Sequence, residues 1–198
     1  MSVAEVVAAI RAGEVVVLPT DTVYGLAATA LDPAGSDALY RLKGRVETQP
    51  TALLAPSVDV LLDLVPELRG RSERVLRELL PGPYTLVLPN PAHRFGWLCG
   101  STPEAIGVRV PAVEGEARDV LDAVGAIVAT SANLPGGQEP RRLEDVPNEL
   151  LERASAAVDG GELPGTPSTV LDLTGPELRV LREGAGSVSA ALDLLGAL

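Results

Sequence analysis

Residues 15 to 26 read VVVLPTDTVYGL, and the character of the sequence changes in the middle of this stretch. The apolar run that ends at Leu18 is typical of a strand covered on both faces. Polar side chains follow Pro19 directly: Thr20, Asp21, Thr22 and Tyr24. Ligands of open α/β sheets bind outside the carboxyl ends of the strands. The stretch therefore predicts an α/β fold with a ligand site at the end of this strand.

Helical and strand-like patterns alternate along the rest of the chain. Ser2 and Glu5 have the spacing of a capping box, which predicts a first helix that ends near Gly13. Further helical patterns lie at 36–45, 57–65, 72–80 and 116–125, and strand-like runs lie at 51–55, 84–88, 105–110, 126–130 and 168–173. The alternation is typical of a sheet with helices on its faces, and a hairpin turn predicted at 174–176 makes the sheet mixed. We expect one domain over residues 1–198, with a last helix at about 187–198.

The composition limits the class of protein. The chain has 198 residues, of which 46% are apolar and 22% charged, as is ordinary for a globular enzyme. Its apolar runs fall short of the roughly 20 residues of a membrane helix, and its N-terminus resembles no secretion signal, so we expect a cytoplasmic protein without membrane contact. The formal net charge of −11 argues against a general nucleic-acid binder but leaves room for a local basic cleft.

Cysteine and histidine occur once each, as Cys99 and His93. One cysteine excludes an intrachain disulfide. A single cysteine and a single histidine also argue against a thiolate or histidine metal site, so we expect no metal held by the protein. The two residues have no orienting acid nearby that would make them a nucleophile pair. P-loop, GxGxxG and GxSxG motifs are also absent from the sequence. A nucleotide would therefore be held by side chains and irregular backbone.

A second strand end carries polar residues. Ser131 and Asn133 follow the strand-like run at 126–130, and such short side chains are suited to fixing the orientation of a ligand. Each polar stretch has a structural alternative. The residues from Thr20 to Thr22 are able to form a turn that satisfies its own backbone, and serine and asparagine are common helix N-caps. Neither stretch decides between these interpretations alone.

Two neighbouring cations are candidates for binding phosphate. Lys43 is the only lysine among sixteen basic residues, and Gly44 separates it from Arg45. A lysine and an arginine at this spacing are able to close on one polyphosphate, the first as a point charge and the second as a planar fork. Cations at the end of a helix are also favoured by the helix dipole, which is the alternative interpretation.

Arg109 is a candidate for binding an anion inside the fold. It alternates with Val108 and Val110, so it faces the opposite side of a strand from two apolar residues. If that side is buried, the guanidinium needs either an internal carboxylate or an anionic ligand. Arg182 raises the same question more weakly, because it stands near a strand end where solvent is able to serve.

Six motifs together resemble a known family. They are PTDTVYGL at 19–26, LKGR at 42–45, GVRVP at 107–111, TSAN at 130–133, PSTVLDL at 167–173 and LREG at 181–184. Their order and spacing are similar to those of the YrdC-like family from about residue 4 to 186. The resemblance implies a twisted α/β fold with a deep, positively lined cavity, in the short, single-domain form. It also implies a nucleotidyltransferase that makes threonylcarbamoyl-AMP and pyrophosphate from L-threonine, bicarbonate or CO₂, and ATP, for the threonylcarbamoyl modification of adenosine 37 in tRNA.

The resemblance also implies roles for single residues. The threonine pocket would be formed with the help of Thr20, Thr22 and Tyr24. The catalytic cations would be Lys43 and Arg45 on the phosphates and the carbamate, and Arg109 on the carboxylate and carbamate end of the amino acid. ATP would also be held by Ser131, Asn133, Ser168, Thr169 and Arg182. Mg²⁺ would be carried by the phosphates and water, and the product would pass to a tRNA threonylcarbamoyl-transferase complex, with weak tRNA binding left open.

Some features of the sequence leave alternatives. The chain departs from the family's pattern at Val46, Gln49, Thr51 and Glu183. Residues 134–148 form the best candidate for a mobile surface loop that closes over the site. Two other functions stay open: a relative that makes a different carbamoyl adenylate, as in hydrogenase maturation, and a non-catalytic RNA-binding module.

Overall fold

The computed structural model describes residues 1–44 and 49–196, and within these ranges nine strands form one mixed sheet. The helices are α1 (Val3–Arg11), α2 (Pro33–Lys43), α3 (Val58–Leu64), α4 (Arg71–Leu79), α5 (Gly115–Val124), α6 (Asn148–Leu151) and α7 (Val188–Gly196), with short 3-10 helices at Pro66–Leu68, Gly96–Leu98 and Leu143–Asp145. The strands are β1 (Val16–Pro19), β2 (Tyr24–Thr29), β3 (Ala52–Leu54), β4 (Tyr84–Pro89), β5 (Ala105–Arg109), β6 (Ile127–Ser131), β7 (Ala156–Ala157), β8 (Thr169–Asp172) and β9 (Arg179–Arg182). Their order is β7-β1-β2-β6-β3-β5-β4-β8-β9. The predicted α/β class with a mixed sheet is confirmed.

Local signals fix the first two helices. Ser2 Oγ accepts a hydrogen bond from Glu5 N at 3.4 Å, and Glu5 Oε2 accepts one from Ser2 N at 2.7 Å, so the predicted capping box is present. Asp32 caps α2 by accepting a hydrogen bond from Ala34 N at 2.8 Å. This cap starts α2 at Pro33, earlier than the predicted start at residue 36, because the cap stands outside the apolar pattern.

The two faces of the sheet carry different side chains. On one face, large apolar residues pair across the strands and pack into the core beneath α2, α3 and α4: Val128, Leu53, Val108, Leu86 and Leu171. On the other face, the neighbouring row consists mainly of small residues: Ala27, Ala129, Ala52, Gly107 and Val87. Since side chains alternate along each strand, one register sets both rows. The face with the small residues leaves space for a cavity.

A long connection shows that the sheet is strongly curved. Residues 159–168, which we name the crossing segment, lead from β7 at one end of the strand order to β8 near the other. Gly165 N donates to Thr22 O at 2.9 Å beside β2, and Pro167 O accepts from Ala185 N at 2.8 Å after β9. Two residues span at most about 7 Å, whereas β2 and β9 would be roughly 29 Å apart in a flat sheet. The sheet therefore curls around the face with the small residues.

The sequence did not predict β2, β7 or α6. Residues 24–29 read YGLAAT, and glycine and alanine are poor strand formers, but β2 pairs with β1 on one side and β6 on the other. Pairing on both sides outweighs the weak local preference. The predicted loop at 134–148 contains the 3-10 helix Leu143–Asp145 and the first residue of α6.

Candidate active site

A cavity of about 550 Å³ lies on the concave side of the sheet. Its floor is formed by small residues, among them Gly25, Ala52, Gly107 and Ala129. Its charged lining residues within the described chain are Arg109, Arg179, Arg182 and Asp172. Three arginines and one aspartate make this lining locally positive in a chain of net charge −11. The volume is in the range of small-molecule sites.

One part of the cavity lining is built around Arg109. The Nη2 atom of Arg109 donates to the carboxylate of Asp21, and it lies 2.9 Å from Thr22 Oγ1, to which it also donates. The side chains of Arg109 and Asp21 are 9% and 10% exposed. Burial lowers the pKa of Arg109 from its ordinary value, and the charge of Asp21 opposes this effect. Of the two partners that the sequence left open, the internal carboxylate is therefore present.

Arg109 keeps unused donors within the described part of the chain. Its Nε atom is buried and has no hydrogen-bond partner among the residues described. A buried donor without a partner carries a cost of about 1–3 kcal/mol. The pair with Asp21 fixes the guanidinium, so the direction of this donor is also fixed. The internal carboxylate and an anionic ligand are thus compatible.

The Thr20–Thr22 turn supports Arg109. Thr20 Oγ1 accepts hydrogen bonds from the backbone nitrogens of Thr22 and Val23, both at 3.2 Å, and it donates to Val23 O at 2.7 Å. The structural alternative for this stretch, a turn that satisfies its own backbone, is therefore present. Both threonines also line the cavity.

A second part of the cavity lining is built around Arg182. Its Nε and Nη2 atoms donate to Ser168 O at 3.0 and 2.8 Å, and Nη2 also donates to Ser168 Oγ at 3.1 Å. The hydroxyl of Ser168 lies 2.9 Å from that of Thr85. Partial burial lowers the pKa of Arg182, and the negative charge of Glu139 opposes this effect. The guanidinium is thus held by a carbonyl and a hydroxyl, without a direct carboxylate partner in the described chain.

Lys43 is buried at the end of α2 and joins this helix to the end of β6. Its Nζ atom donates to Ser131 O and Asn133 Oδ1, both at 2.6 Å, and to the carbonyl oxygen of Asn133. Asn133 Oδ1 also accepts from Ser131 Oγ at 2.8 Å. Ser131 and Asn133 cap no helix, because the chain continues through turns to the 3-10 helix Leu143–Asp145. The ammonium group organises this strand end.

The predicted site residues fall into four groups. The cavity lining contains Thr20, Thr22, Arg109, Ser131, Ser168 and Arg182. Lys43, Asn133 and Thr169 are buried next to lining residues, and Thr169 Oγ1 donates to Gly186 O at 2.6 Å. Tyr24 points to the opposite face of the sheet, into the core, because it precedes the lining residue Gly25 on β2. Arg45 lies outside the described residues, as does the departure at Val46.

Sequence reasoning missed several polar lining or supporting residues: Asp21, Thr85, Asp172 and Arg179. Asp21 lies in the stretch VVVLPTDTVYGL. The signal that could have paired it with Arg109 was the need of a buried guanidinium for a carboxylate. Asp172 and Arg179 pair across the β8–β9 hairpin. Although burial raises the pKa of Asp172, hydrogen bonds from Thr174 and Arg179 lower it overall.

The cavity contains no activated thiol. Cys99 lines it, but burial raises the pKa of this thiol and Asn90 Nδ2 lies 3.6 Å from its sulfur. A thiol with a raised pKa is a poor nucleophile at neutral pH. The arrangement is suited to binding and orienting anionic groups, without a covalent intermediate on Cys99.

Comparisons with known proteins agree with the motifs. The profile of the Sua5/YciO/YrdC family, described as "Telomere recombination", matches residues 8–184. A putative threonylcarbamoyl-AMP synthase of Mycobacterium tuberculosis H37Rv is 34% identical over 96% of this chain and 87% of its own length. The threonylcarbamoyl-AMP synthase of Homo sapiens is 36% identical over 95% of this chain and 69% of its own length.

Solved structures have the same fold. The crystal structure of Pyrococcus abyssi Sua5 complexed with L-threonine superposes with a TM-score of 0.88 at 31% identity, over 98% of this chain and 57% of that chain. The chain thus spans little more than half the length of that relative. Escherichia coli YciO superposes with a TM-score of 0.82 at 27% identity, over 94% of this chain and 90% of that chain. The chain belongs to the Sua5/YciO/YrdC family, and the predicted resemblance is confirmed.

Proposed function

We propose that the chain is an L-threonylcarbamoyladenylate synthase, which forms threonylcarbamoyl-AMP and pyrophosphate from L-threonine, bicarbonate or CO₂, and ATP. The observation that carries this proposal is the presence of two fixed cations in the lining of one cavity. Arg109 is fixed by Asp21, and Arg182 is fixed by Ser168. One cation suits a carboxylate and the other a phosphate, and the floor of small residues gives room for both substrates.

The amino acid binds beside Arg109. Its carboxylate or carbamate accepts a hydrogen bond from the guanidinium, and Thr22 lies beside the same group. Asp21 keeps the planar fork in one orientation, which a lysine at this position would lack. Tyr24 is left out of this pocket because its side chain lies in the core. Thr20 and Thr22 remain the threonine-binding residues of the proposal.

ATP binds between Arg182 and the end of β6. Ser131 and Ser168 line the cavity there, while Asn133 and Thr169 support them from behind. Lys43 and Arg45 act on the phosphates, as the resemblance implies. Within residues 1–44 and 49–196, no three His, Cys, Asp or Glu side chains are grouped to hold a metal ion. Mg²⁺ would therefore be held by the phosphates and water, with no protein ligand assigned.

The reaction needs positioning more than covalent help from the protein. The threonine amine and CO₂ form a carbamate with loss of a proton, and a carbamate oxygen attacks the α-phosphorus of ATP. A new P–O bond forms while the bond to the β-phosphate breaks, and pyrophosphate carries away the electron pair. Fixed cations stabilise the charge that develops on the phosphates, and the cavity holds the reactants in line. A Ser or Cys nucleophile is not required.

The experiment that tests this function is pyrophosphate release from ATP in the presence of Mg²⁺ and bicarbonate. We expect release that requires L-threonine and bicarbonate together, with L-serine as the comparison substrate, and a product with the mass of threonylcarbamoyl-AMP. Release that is independent of threonine would point instead to a different carbamoyl acceptor. Absence of release, combined with salt-sensitive tRNA binding, would point to an RNA-binding module.

The chemistry of the product indicates which class of enzyme consumes it. A mixed anhydride of a carbamate and AMP is an activated acyl donor, so a tRNA threonylcarbamoyl-transferase complex is the proposed consumer. No helix among the described residues has the length and apolar content to cross a membrane. We expect the chain to act in the cytoplasm, where a transferase and tRNA are both present.

A further inference from the structure

Tyr24 has a set of contacts that substrate binding does not explain. Its side chain is fully buried, and its hydroxyl accepts a hydrogen bond from Gly160 N at 2.9 Å. The hydroxyl oxygen also lies 2.8 Å from Gly161 O and 3.0 Å from Asp159 Oδ1, two acceptors for its one proton. All three partners belong to the start of the crossing segment.

The first residues of the crossing segment are shaped to fit this hydroxyl. A Cβ atom at Gly160 would lie 2.7 Å from the ring of Pro19, so a side chain is excluded there. Gly161 has φ of +72°, a conformation that glycine adopts without strain. Asp159 Oδ1 accepts a hydrogen bond from Gly161 N at 2.9 Å, which closes the turn around the tyrosine oxygen. Tyr24 thus anchors a turn whose sequence is specialised for it.

The crossing segment leads from this anchor to the partners of both cavity arginines. At Gly165, its backbone nitrogen donates to Thr22 O at 2.9 Å, and Thr22 Oγ1 is a partner of Arg109. Three residues later, Ser168 holds Arg182. Between the anchor and Gly165, Leu163 N donates to Arg141 O at 2.8 Å. The segment therefore connects the surroundings of Arg109 with those of Arg182, and its start is fixed by one buried hydroxyl.

We infer that Tyr24 is a positioning residue for substrate binding: through the crossing segment it fixes the Thr20–Thr22 turn and the Ser168 part of the cavity lining without touching a ligand. This inference rests on the proposed function for its substrate and replaces the predicted contact between Tyr24 and threonine. The hydroxyl of Tyr24 accepts one hydrogen bond and donates another. Removal of such a hydroxyl shifts an equilibrium constant by about tenfold.

The test combines two measurements on the full chain with Tyr24→Phe. The first is amide hydrogen exchange at Gly160 and Gly165, which reports the anchor without any substrate. We expect protection at both amides to fall by about tenfold, a change that corresponds to one lost hydrogen bond. The second is steady-state pyrophosphate release. We expect the KM for L-threonine to rise by about tenfold while kcat at saturation stays within about threefold, because bound substrate restores the order of the turn.

A second variant and a control keep the test decisive. Asp159 is exposed, so Asp159→Ala removes a partner of the hydroxyl without opening a core cavity, and we expect it to change both measurements in the same direction. Tyr84→Phe is the matched control, since it removes a hydroxyl that donates to Ser187 O at 3.0 Å, outside the crossing segment. We expect neither measurement to change with this control.

Each outcome decides the matter. Unchanged protection at Gly165 in Tyr24→Phe overturns the inference, and so does lost protection with an unchanged KM. If kcat falls in proportion to the fraction of active protein while the KM for L-threonine is preserved, Tyr24 has a role in stability alone. If the wild-type chain releases no pyrophosphate with threonine, the proposed function fails, and exchange at Gly165 then decides alone whether Tyr24 holds the segment.

Discussion

Arg109 and Asp21 form a buried ion pair in the part of the cavity lining that we assign to the amino acid. Arg109 Nη2 donates to one carboxylate oxygen of Asp21, and the other oxygen accepts from Ala112 N at 3.1 Å. The pair joins β5 to the turn after β1. The carboxylate is therefore both the counter-charge of Arg109 and a link between two parts of the sheet.

Removal of this carboxylate should destabilise the fold and create a need for an anion. We expect Asp21→Asn to lower the free energy of unfolding by about 3 kcal/mol, because it leaves a buried guanidinium without a counter-charge. Sulfate should restore part of the loss by taking the place of the carboxylate. Urea unfolding at constant ionic strength, with and without sulfate, measures both effects.

The control for this prediction is an aspartate in an exposed pair. Asp63 pairs with Arg69 at 3.1 Å, and its side chain is 78% exposed. Asp63→Asn should change the unfolding free energy by no more than about 0.5 kcal/mol, with no response to sulfate beyond that of the wild type. An equal response of both variants to sulfate would contradict the role given to Asp21.

The floor of the cavity at Gly107 should control access of substrate without controlling stability. A Cβ atom at Gly107 would meet its nearest neighbour, Ala52 Cα, at 3.7 Å, which is ordinary contact. We therefore expect Gly107→Ala to fold normally and Gly107→Leu to raise the KM for ATP by about tenfold or more, since its side chain would fill part of the cavity. Steady-state kinetics with thermal unfolding measures both effects.

A floor glycine on β2 gives the contrast. At Gly25 an added Cβ would lie 3.2 Å from Thr130 O, tighter than most real contacts. Gly25→Ala should therefore lower stability as well as activity, whereas Gly107→Ala should not. A loss of stability in Gly107→Ala equal to that in Gly25→Ala would show that the cavity floor has no spare room.

The sequence predicted the strands and helices that have strong local patterns, and it missed those that depend on partners. The capping box of Ser2 and Glu5 acts within four residues and was found from the letters alone. β2 was missed because its order comes from β1 and β6 on either side, not from its own residues. Propensity carries no information about such pairing.

The candidate site shows the same limit. Arg109 was singled out because a charge alternating with valines needs a partner, but the choice between a carboxylate and a ligand needed the position of Asp21. Tyr24 was assigned to the threonine pocket because it belongs to a polar motif. Its place on β2, one residue before the lining residue Gly25, sends its side chain to the other face. A motif names residues that act together, whereas the strand register decides which of them face the cavity.

Activity should be sensitive to any change of the ammonium group of Lys43. Its nitrogen donates to two carbonyl oxygens and to the side chain of Asn133, so it holds the strand end where ATP is proposed to bind. We expect Lys43→Ala to lower kcat/KM for ATP by about 100-fold, and Lys43→Arg to restore little, because a planar fork cannot donate to three converging oxygens. Pyrophosphate release measures the effect.

Arg41 provides the matched control on the same helix. It is exposed in the last turn of α2, whereas Lys43 is buried in the same turn. Arg41→Ala therefore removes a cation without touching the cavity. Its kcat/KM should stay within about twofold of the wild type, since exposed charges contribute little. Full activity in Lys43→Arg would mean that charge alone is needed at this position.

Tyr24 should ionise later than an ordinary tyrosine. Burial raises its pKa from 10.0 to about 12, and its contact with Asp159 acts in the same direction, while the hydrogen bond from Gly160 opposes them. Because the folded-state pKa is raised, the contribution of this group to stability is fully present below pH 10 and is lost as the pH rises towards 12.

Tyrosinate absorbance during a rapid pH titration should show a late ionisation that Tyr24→Phe removes. The stability advantage of the wild type over Tyr24→Phe should also be constant from pH 7 to about 9 and shrink above pH 10. A variant that retains the late ionisation, or an advantage that grows with alkaline pH, would contradict the buried, neutral hydroxyl on which the anchor of the crossing segment depends.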